Sequence, residues 1–197
     1  MKELFYDEIT LYEIDFWCRS LYYDRLKTLD LKGKKVLELG CDKGEVTERL
    51  IKDKDFYKYD YFDSVDANKN AIEDCKKRIK NHTFINYCIT SKNIEPFLKY
   101  DTYLIFYAYT SMNHNEMINI LDVLVNKYHK EVILYESLVD DFNNQTNVNY
   151  KSIDWYSFCR LHIDKLERVS NQTFYERFFN PIYKNGFVYL YPKNKGQ

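Results

Sequence analysis

The sequence is poor in glycine and proline and lacks the features of several protein classes. Five glycines and three prolines in 197 residues leave no stretch of linker composition, so we expect a single domain. No apolar run reaches the ~18–20 residues that a membrane-spanning helix requires. Residues 1–30 are charged throughout and contain no apolar segment of a secretion signal. We therefore expect a cytoplasmic protein without a membrane span.

The cysteines and the charge balance exclude further classes. Cys18, Cys41, Cys75, Cys88 and Cys159 are widely spaced, form no C-x-x-C pair and have no histidine at a zinc-finger interval. We predict reduced thiols and no bound metal. The 29 basic and 30 acidic side chains nearly cancel, which argues against an extended nucleic-acid surface, although the last quarter of the chain is basic.

Hydrophobic periodicity alternates between strand and helix patterns, which is typical of a parallel sheet covered by helices on both faces. Asn68 is placed to cap the helix after the second strand. Two late extended segments separated by turn residues predict a C-terminal antiparallel hairpin. The predicted fold is α/β, a Rossmann-like three-layer sandwich with a mostly parallel seven-stranded sheet. The predicted strands are 35–39, 61–66, 84–88, 102–107, 131–135, 172–179 and 186–191.

One segment carries the pattern of a nucleotide-type ligand site. Residues 36–44, VLELGCDKG, combine a buried strand, a glycine turn and the start of a helix. Gly40 allows the backbone to turn and approach a ligand closely, and Gly44 allows the helix to pack close to the strand. We expect the first N–H groups of that helix to point into the crevice.

The residues of this turn separate two classes of ligand. A dinucleotide fingerprint requires glycine at the equivalents of positions 40, 42 and 45, where this sequence has Gly40, Asp42 and Glu45. A carboxylate at Asp42 would repel a diphosphate by about 1–4 kcal/mol at about 4 Å. S-adenosylmethionine instead carries a sulfonium and an ammonium and no phosphate. Asp66 ends the second predicted strand, where a carboxylate is placed to accept both ribose hydroxyls. The pattern favours an adenosyl ligand without a diphosphate.

VLELGCDKGEVTERL and the later SVDAN resemble class I S-adenosylmethionine-dependent methyltransferases. The resemblance extends from about residue 30 to residue 191 and implies S-adenosylmethionine as cofactor and S-adenosylhomocysteine as product. The family often has an acid after the third strand, near the adenine, where this sequence offers Thr90 and Ser91 as replacements. The cofactor residues predicted on this basis are Glu38, Gly40, Cys41, Asp42, Gly44, Asp66, Ala67, Thr90, Ser91 and Tyr107.

The resemblance also implies a division of the single methyltransferase domain, residues 1–197. We predict an N-terminal helical lid segment (1–32), a cofactor-binding core (33–136), and a helix plus hairpin on the acceptor side (137–197). Catalytic residues are expected after the fourth strand, at Tyr107 and His114. His114 is placed to take a proton from an acceptor hydroxyl, or else is a polar residue that begins the next helix. The predicted acceptor-binding residues are Tyr12, Tyr109, Asn113, Tyr175 and Arg177.

Three functions remain open from the sequence. The stretch from YLIFYAYTSMNH to FYERFFNPIY is similar to bacterial methyltransferases that act on surface polysaccharides or their precursors. This similarity implies methylation of oxygen or nitrogen on a small polar or glycan-type acceptor, in polysaccharide biosynthesis. The basic last quarter favours an RNA or protein methyltransferase instead. The third alternative is a non-catalytic partner, in which Asp42 and the missing acid after strand three reflect a lost cofactor.

Overall fold

Short runs rich in β-branched and aromatic residues form seven strands of one sheet. The computed structural model describes residues 26–106, 114–135, 178–184 and 187–193. The strands are β1 (Lys35–Leu39), β2 (Tyr61–Asp66), β3 (Thr83–Asn86), β4 (Thr102–Phe106), β5 (Glu131–Tyr135), β6 (Asn180–Lys184) and β7 (Phe187–Tyr191).

The sheet is mostly parallel and has the order β3-β2-β1-β4-β5-β7-β6. The first five strands are parallel, whereas β7 pairs antiparallel with both β5 and β6. This arrangement confirms the predicted fold class, with its seven strands and C-terminal antiparallel hairpin. Leu39 is in register with Val65 of β2 and with Ile105 of β4, so these three strands end at one edge. The chain order reverses between β1 and β4, and a ligand crevice is expected at such a point.

Four helices connect the parallel strands in the described part of the chain. They are α1 (Glu45–Lys52), α2 (Lys54–Tyr57), α3 (Lys69–Arg78) and α4 (His114–Asp122), and α4 continues as a π-helical turn, Val123–Lys127. The predicted cap of α3 is confirmed, because Oδ1 of Asn68 accepts the N–H groups of Asn70 and Ala71 at 3.1 and 3.3 Å.

Alternate residues of each strand face opposite layers of helices. Leu37, Leu39 and Ile105 pack against Met117 and Ile120 of α4 in one core. On the other face, Val36 and Leu104 pack with residues of α1 and α2, and Phe84 packs with α3. The sheet therefore lies between two helical layers, and its central strands are buried on both sides.

The prediction of the first hairpin strand was wrong. It was placed at 172–179, but the strand is Asn180–Lys184 and begins at the Asn180-Pro181 pair that was predicted to be a turn. Proline lacks the N–H that a central strand needs. Among the described strands, however, β6 lies at the edge of the sheet and pairs with β7, and Pro181 lies opposite Leu190. An edge position tolerates the missing donor. Most of the predicted N-terminal helical segment, and the helix predicted to precede the hairpin, lie outside the described residues.

Candidate active site

The turn between β1 and α1 contains three residues with positive φ. Gly40, Asp42 and Gly44 have φ angles of 75°, 43° and 70°. The N–H of Gly40 donates to the carbonyl of Val65 at 2.8 Å, and the N–H of Gly44 donates to the carbonyl of Cys41 at 2.7 Å. Aspartate tolerates left-handed backbone better than most residues. Asp42 thus occupies a glycine-like conformation, and the turn persists without a middle glycine.

Asp66, at the end of β2, ties this turn to the start of α3. Its Oδ2 accepts the N–H of Asp42 at 2.8 Å, and its Oδ1 accepts the N–H of Asn68 at 2.7 Å. The side-chain amide of Asn86 donates to the carbonyls of Asp66 and Ala67, each at 3.0 Å. A carboxylate has about four acceptor positions, so Asp66 is held in place and retains capacity for a ligand's hydroxyl groups.

A cavity of about 420 Å³ lies at this edge of the sheet, beside Asp66. Its volume lies within the range of ~300–1,000 Å³ that is usual for small-molecule sites. It is bounded by the ends of β1, β2 and β4, by the segment that follows β3, and by α4. The lining residues are Leu39, Gly40, Val65, Asp66, Ala67, Asn68, Tyr87, Cys88, Ile89, Thr90, Ile105, Glu116, Met117 and Ile120.

The charged groups of this lining all have one sign. Asp66 and Glu116 contribute carboxylates, and no lysine, arginine or histidine is among the described residues that line the cavity. Most of the remaining wall is apolar, formed by side chains such as Ile105, Met117 and Ile120. The cavity therefore favours a ligand with an apolar body, hydrogen-bond donors and positive charge, and it disfavours a diphosphate.

Glu116 joins α4 to the segment that follows β3. Its Oε1 accepts the N–H of Ser91 at 2.6 Å, while the N–H of Thr90 donates to Oδ1 of Asn93 at 2.6 Å. The hydrogen bond from Ser91 lowers the pKa of Glu116 from its ordinary value, so this carboxylate is ionised near neutral pH. The backbone donors of Thr90 and Ser91 are thus already used within the protein.

Glu38 lies behind the turn and does not line the cavity. Its side chain is buried, with 2% of the residue exposed. The hydroxyl of Thr47 donates to its Oε2, and the hydroxyl of Ser64 donates to the same oxygen at 2.9 Å. Ser64 also contacts Nε2 of His82 at 3.0 Å. Burial raises the pKa of Glu38 to about 7, and the two hydroxyl donors oppose this effect.

Cys41 is a buried packing residue rather than part of the cavity wall. It belongs to a small cluster with Ile72, Cys75 and Phe84 beneath the turn. Burial, followed by the nearby carboxylates of Glu38 and Asp66, raises the pKa of the Cys41 thiol well above its ordinary value. The thiol is therefore neutral and unsuited to nucleophilic chemistry.

The structure brings together only some of the residues that the sequence indicated. Gly40, Asp66, Ala67 and Thr90 line the cavity. Glu38, Cys41, Asp42, Gly44 and Ser91 do not line it but support the turn or the segment after β3. His114 is the first residue of α4. The predicted residues that lie outside the described part of the chain are Tyr12, Tyr107, Tyr109, Asn113, Tyr175 and Arg177.

Several cavity residues were not found from the sequence. Glu116 was missed although it lies in the first turn of α4, where an acid also suits the helix dipole. Met117 and Ile120 are buried residues of α4, and the sequence did not indicate them as walls of a ligand site. Tyr87, Cys88 and Ile89 follow β3 and carry no motif.

Among the residues that the structure describes, no three histidine, cysteine, aspartate or glutamate side chains group as metal ligands would. The helices of the same ranges are all too short or too polar to cross a bilayer.

The fold is similar to that of several solved structures. A fibrillarin/Nop5p complex matches over 89% of this chain and 82% of its own, with 14% identity and a TM-score of 0.50. The plantazolicin methyltransferase BpumL, solved with a triazolic desmethylPZN analogue and SAH, matches over 72% of this chain with 18% identity and a TM-score of 0.45. This chain spans 57% of the length of BpumL.

An rRNA methylase from Streptococcus thermophilus matches over 88% of this chain and 95% of its own, with 13% identity and a TM-score of 0.43. No protein-family model and no curated protein is similar to the sequence.

The sheet topology and the fibrillarin match agree with the resemblance seen in residues 36–50 and 64–68. The parallel strands reverse their order between β1 and β4, the glycine turn follows β1, and β7 inserts antiparallel beside β5. The chain has the fold of the class I S-adenosylmethionine-dependent methyltransferases.

Proposed function

We propose that this protein transfers a methyl group from S-adenosylmethionine to an oxygen or nitrogen of a small polar or glycan-type acceptor. The observation that carries the proposal is the cavity at the carboxyl edge of β1, β2 and β4, which pairs an apolar wall with two carboxylates. A methyltransferase needs such a site to hold a cationic nucleoside next to an acceptor.

The residues of the cavity fit S-adenosylmethionine by chemistry. Asp66 has acceptor capacity for ribose hydroxyls, and the glycine turn at Gly40 brings backbone close to the ligand. Ile89 and Met117 offer apolar surface for the faces of the base. The negative field of Asp66 and Glu116 favours a sulfonium and an ammonium. When bound, the cofactor supplies a methyl group activated by the positive sulfur.

The proposed catalytic residues lie, in the sequence, between two residues that line the cavity. Ile105 and Glu116 both line it, and Tyr107 and His114 fall between them in the sequence. Methyl transfer is an in-line displacement, so positioning of the acceptor supplies much of the acceleration. We assign His114 the removal of a proton from an acceptor hydroxyl and propose Tyr107 as a second catalytic residue. Acceptor contacts are proposed for Tyr12, Tyr109, Asn113, Tyr175 and Arg177.

The glycan-type acceptor is supported by the sequence similarity of the stretch from residue 103, in β4, to residue 183, in β6. On that basis we place the activity in the cytoplasm and in polysaccharide biosynthesis. An assay with tritiated S-adenosylmethionine and candidate acceptors tests this assignment. Methylation of RNA or protein alone would replace the proposed acceptor class, and cofactor binding without turnover on any acceptor would favour a non-catalytic partner.

Cofactor binding is tested through Asp66. We expect titration calorimetry to detect binding of S-adenosylhomocysteine and to show much weaker binding of NAD and ADP. Asp66→Asn is expected to weaken S-adenosylhomocysteine about 10–100-fold, because a hydrogen bond to a charged group contributes about 1.5–3 kcal/mol. Asparagine keeps the shape of the side chain but only one acceptor oxygen, so it loses one of the two backbone hydrogen bonds of Asp66, and a thermal melt separates lost stability from lost affinity.

Asp74→Asn is the matched control. It makes the same substitution on α3, where the Asp74 side chain is 73% exposed, and should leave affinity unchanged. The proposed cofactor would be excluded by a lack of S-adenosylhomocysteine binding at millimolar concentration, or by equal affinity for NAD.

A further inference from the structure

Glu116 is a second carboxylate that lines the cavity, and the N–H of Ser91 fixes its position. Building on the proposed function, we propose that Glu116 selects adenine by accepting a hydrogen bond from the exocyclic amino group of the base. The residue belongs to α4 and lines the cavity together with Thr90, from the segment after β3. Asp66 would then hold the ribose and Glu116 the base.

The orientation of Glu116 is set by the protein before any ligand binds. Oε1 accepts the N–H of Ser91 at 2.6 Å. The side chains of Ser91 and Asn119 also donate to this carboxylate, and the charge of Lys92 favours its ionised form. A carboxylate held by several donors is rigid and acts only as an acceptor. A ligand group that faces it must therefore be a hydrogen-bond donor.

Two neighbouring polar groups are already used within the protein. The N–H of Thr90 donates to Asn93, and the side-chain amide of Asn93 donates to the carbonyl of Cys88 at 2.9 Å. Next to Glu116, the wall consists of the apolar side chains of Met117 and Ile120. A flat apolar ring with one amino group matches an apolar wall with one fixed acceptor, which is the arrangement that adenine presents.

A pair of ligands separates recognition of the base from general support of the cavity. The first is S-adenosylhomocysteine, and the second is its 6-deamino analogue, which lacks only the exocyclic amine. The wild-type protein should prefer S-adenosylhomocysteine by about 10–100-fold, since the analogue leaves the fixed carboxylate without its ligand donor. Both affinities are measured by titration calorimetry.

Glu116→Gln should reduce this preference to less than about threefold, since its oxygen still accepts the N–H of Ser91 while its amide presents a donor to the base. The loss should fall on S-adenosylhomocysteine and leave the analogue almost unchanged. Glu73→Gln on α3, with a side chain 51% exposed, is the matched control and should retain the wild-type preference.

The outcomes distinguish the two proposals. If wild-type protein binds S-adenosylhomocysteine but both ligands weaken equally in Glu116→Gln, the residue only supports the cavity and the selection of adenine is overturned. Equal wild-type affinity for the two ligands also overturns the selection of adenine by Glu116, but it leaves the proposed cofactor in place. If neither ligand binds the wild-type protein, the proposed function itself fails, and the assignment of Glu116 fails with it.

Discussion

Replacement of Gly44 by alanine is expected to lower the free energy of unfolding by about 3 kcal/mol. Gly44 precedes α1 with a φ of 70°, and a side chain in that region costs about 1–2 kcal/mol. Its Cβ would also lie 2.9 Å from Sγ of Cys75 and 3.3 Å from Cδ1 of Ile79. Relief of such overpacking costs a further ~1–3 kcal/mol. Urea denaturation of the purified variant measures the sum.

Gly33 provides a matched control for the backbone contribution. Its φ is 69°, but an added Cβ would meet no atom within 4 Å, so Gly33→Ala should lose only about 1–2 kcal/mol. The excess loss in Gly44→Ala then reports close packing of α1 against α3. Combining Gly44→Ala with Cys75→Ala should cost less than the sum of the single losses. Equal losses at Gly33 and Gly44 would contradict the close approach of the two helices.

The sequence predicted the elements that depend on local patterns. β1 and β2 were predicted with their observed bounds, because β1 is a short run rich in apolar residues that ends at a glycine turn, and β2 is a short extended run that ends in the acid Asp66. The cap at Asn68 and the glycine turn at Gly40 and Gly44 are also local signals. Asp66 lines the cavity at the end of β2 because strand ends in a parallel sheet share an edge.

The parts that were missed depend on contacts between residues distant in the sequence. Glu116 accepts a hydrogen bond from the N–H of Ser91, 25 positions away. This bond joins α4 to the segment after β3, where Glu116 lines the cavity. Glu38 was predicted as a cofactor residue, and its Oε2 accepts hydrogen bonds from Thr47 and from Ser64, 26 positions away. No periodicity reveals such pairs. The edge strand β6 was not predicted, because a proline within a strand is acceptable only at an edge of the sheet. The order of the strands, which places β6 at the edge, is a tertiary property.

The buried group around Glu38 links three elements beneath the glycine turn. Thr47 of α1 and Ser64 of β2 both donate to Oε2 of Glu38 in β1, and Ser64 contacts His82. Burial lowers the pKa of His82 from 6.5 to about 4, with the charge of Asp63 opposing it. Glu38 and His82 are therefore both shifted toward their neutral forms, as expected where water is excluded.

These two shifts have opposite effects on stability as pH changes. The pKa of Glu38 rises from 4.5 unfolded to about 7 folded, so its stabilisation is complete below pH 4.5 and is lost as pH rises through 7. The folded pKa of His82 is depressed, so its contribution is present above pH 6.5 and is lost as pH falls through 4. The two slopes offset each other between pH 4.5 and 6.5 in the wild-type protein.

Glu38→Gln removes the contribution of Glu38 to the pH dependence of the free energy of unfolding. Glutamine keeps an acceptor for Thr47 and Ser64 but does not ionise. The stability of the variant relative to wild type should therefore rise by about 3 kcal/mol between pH 4.5 and 8. Taking the difference between the two proteins cancels His82 and the other titrating groups. Urea denaturation at pH 5, 6, 7 and 8 gives the curve.

Glu48→Gln tests the sign of that result, because Lys52 and Arg78 lower the pKa of Glu48. A lowered folded pKa stabilises the protein above the unfolded value, so this variant should lose stability relative to wild type as pH rises. The effect should be small, since Glu48 is partly exposed to solvent. A pH-independent difference for Glu38→Gln would mean that Glu38 is ionised throughout, and that Thr47 and Ser64 hold a charge beneath the turn rather than a neutral acid.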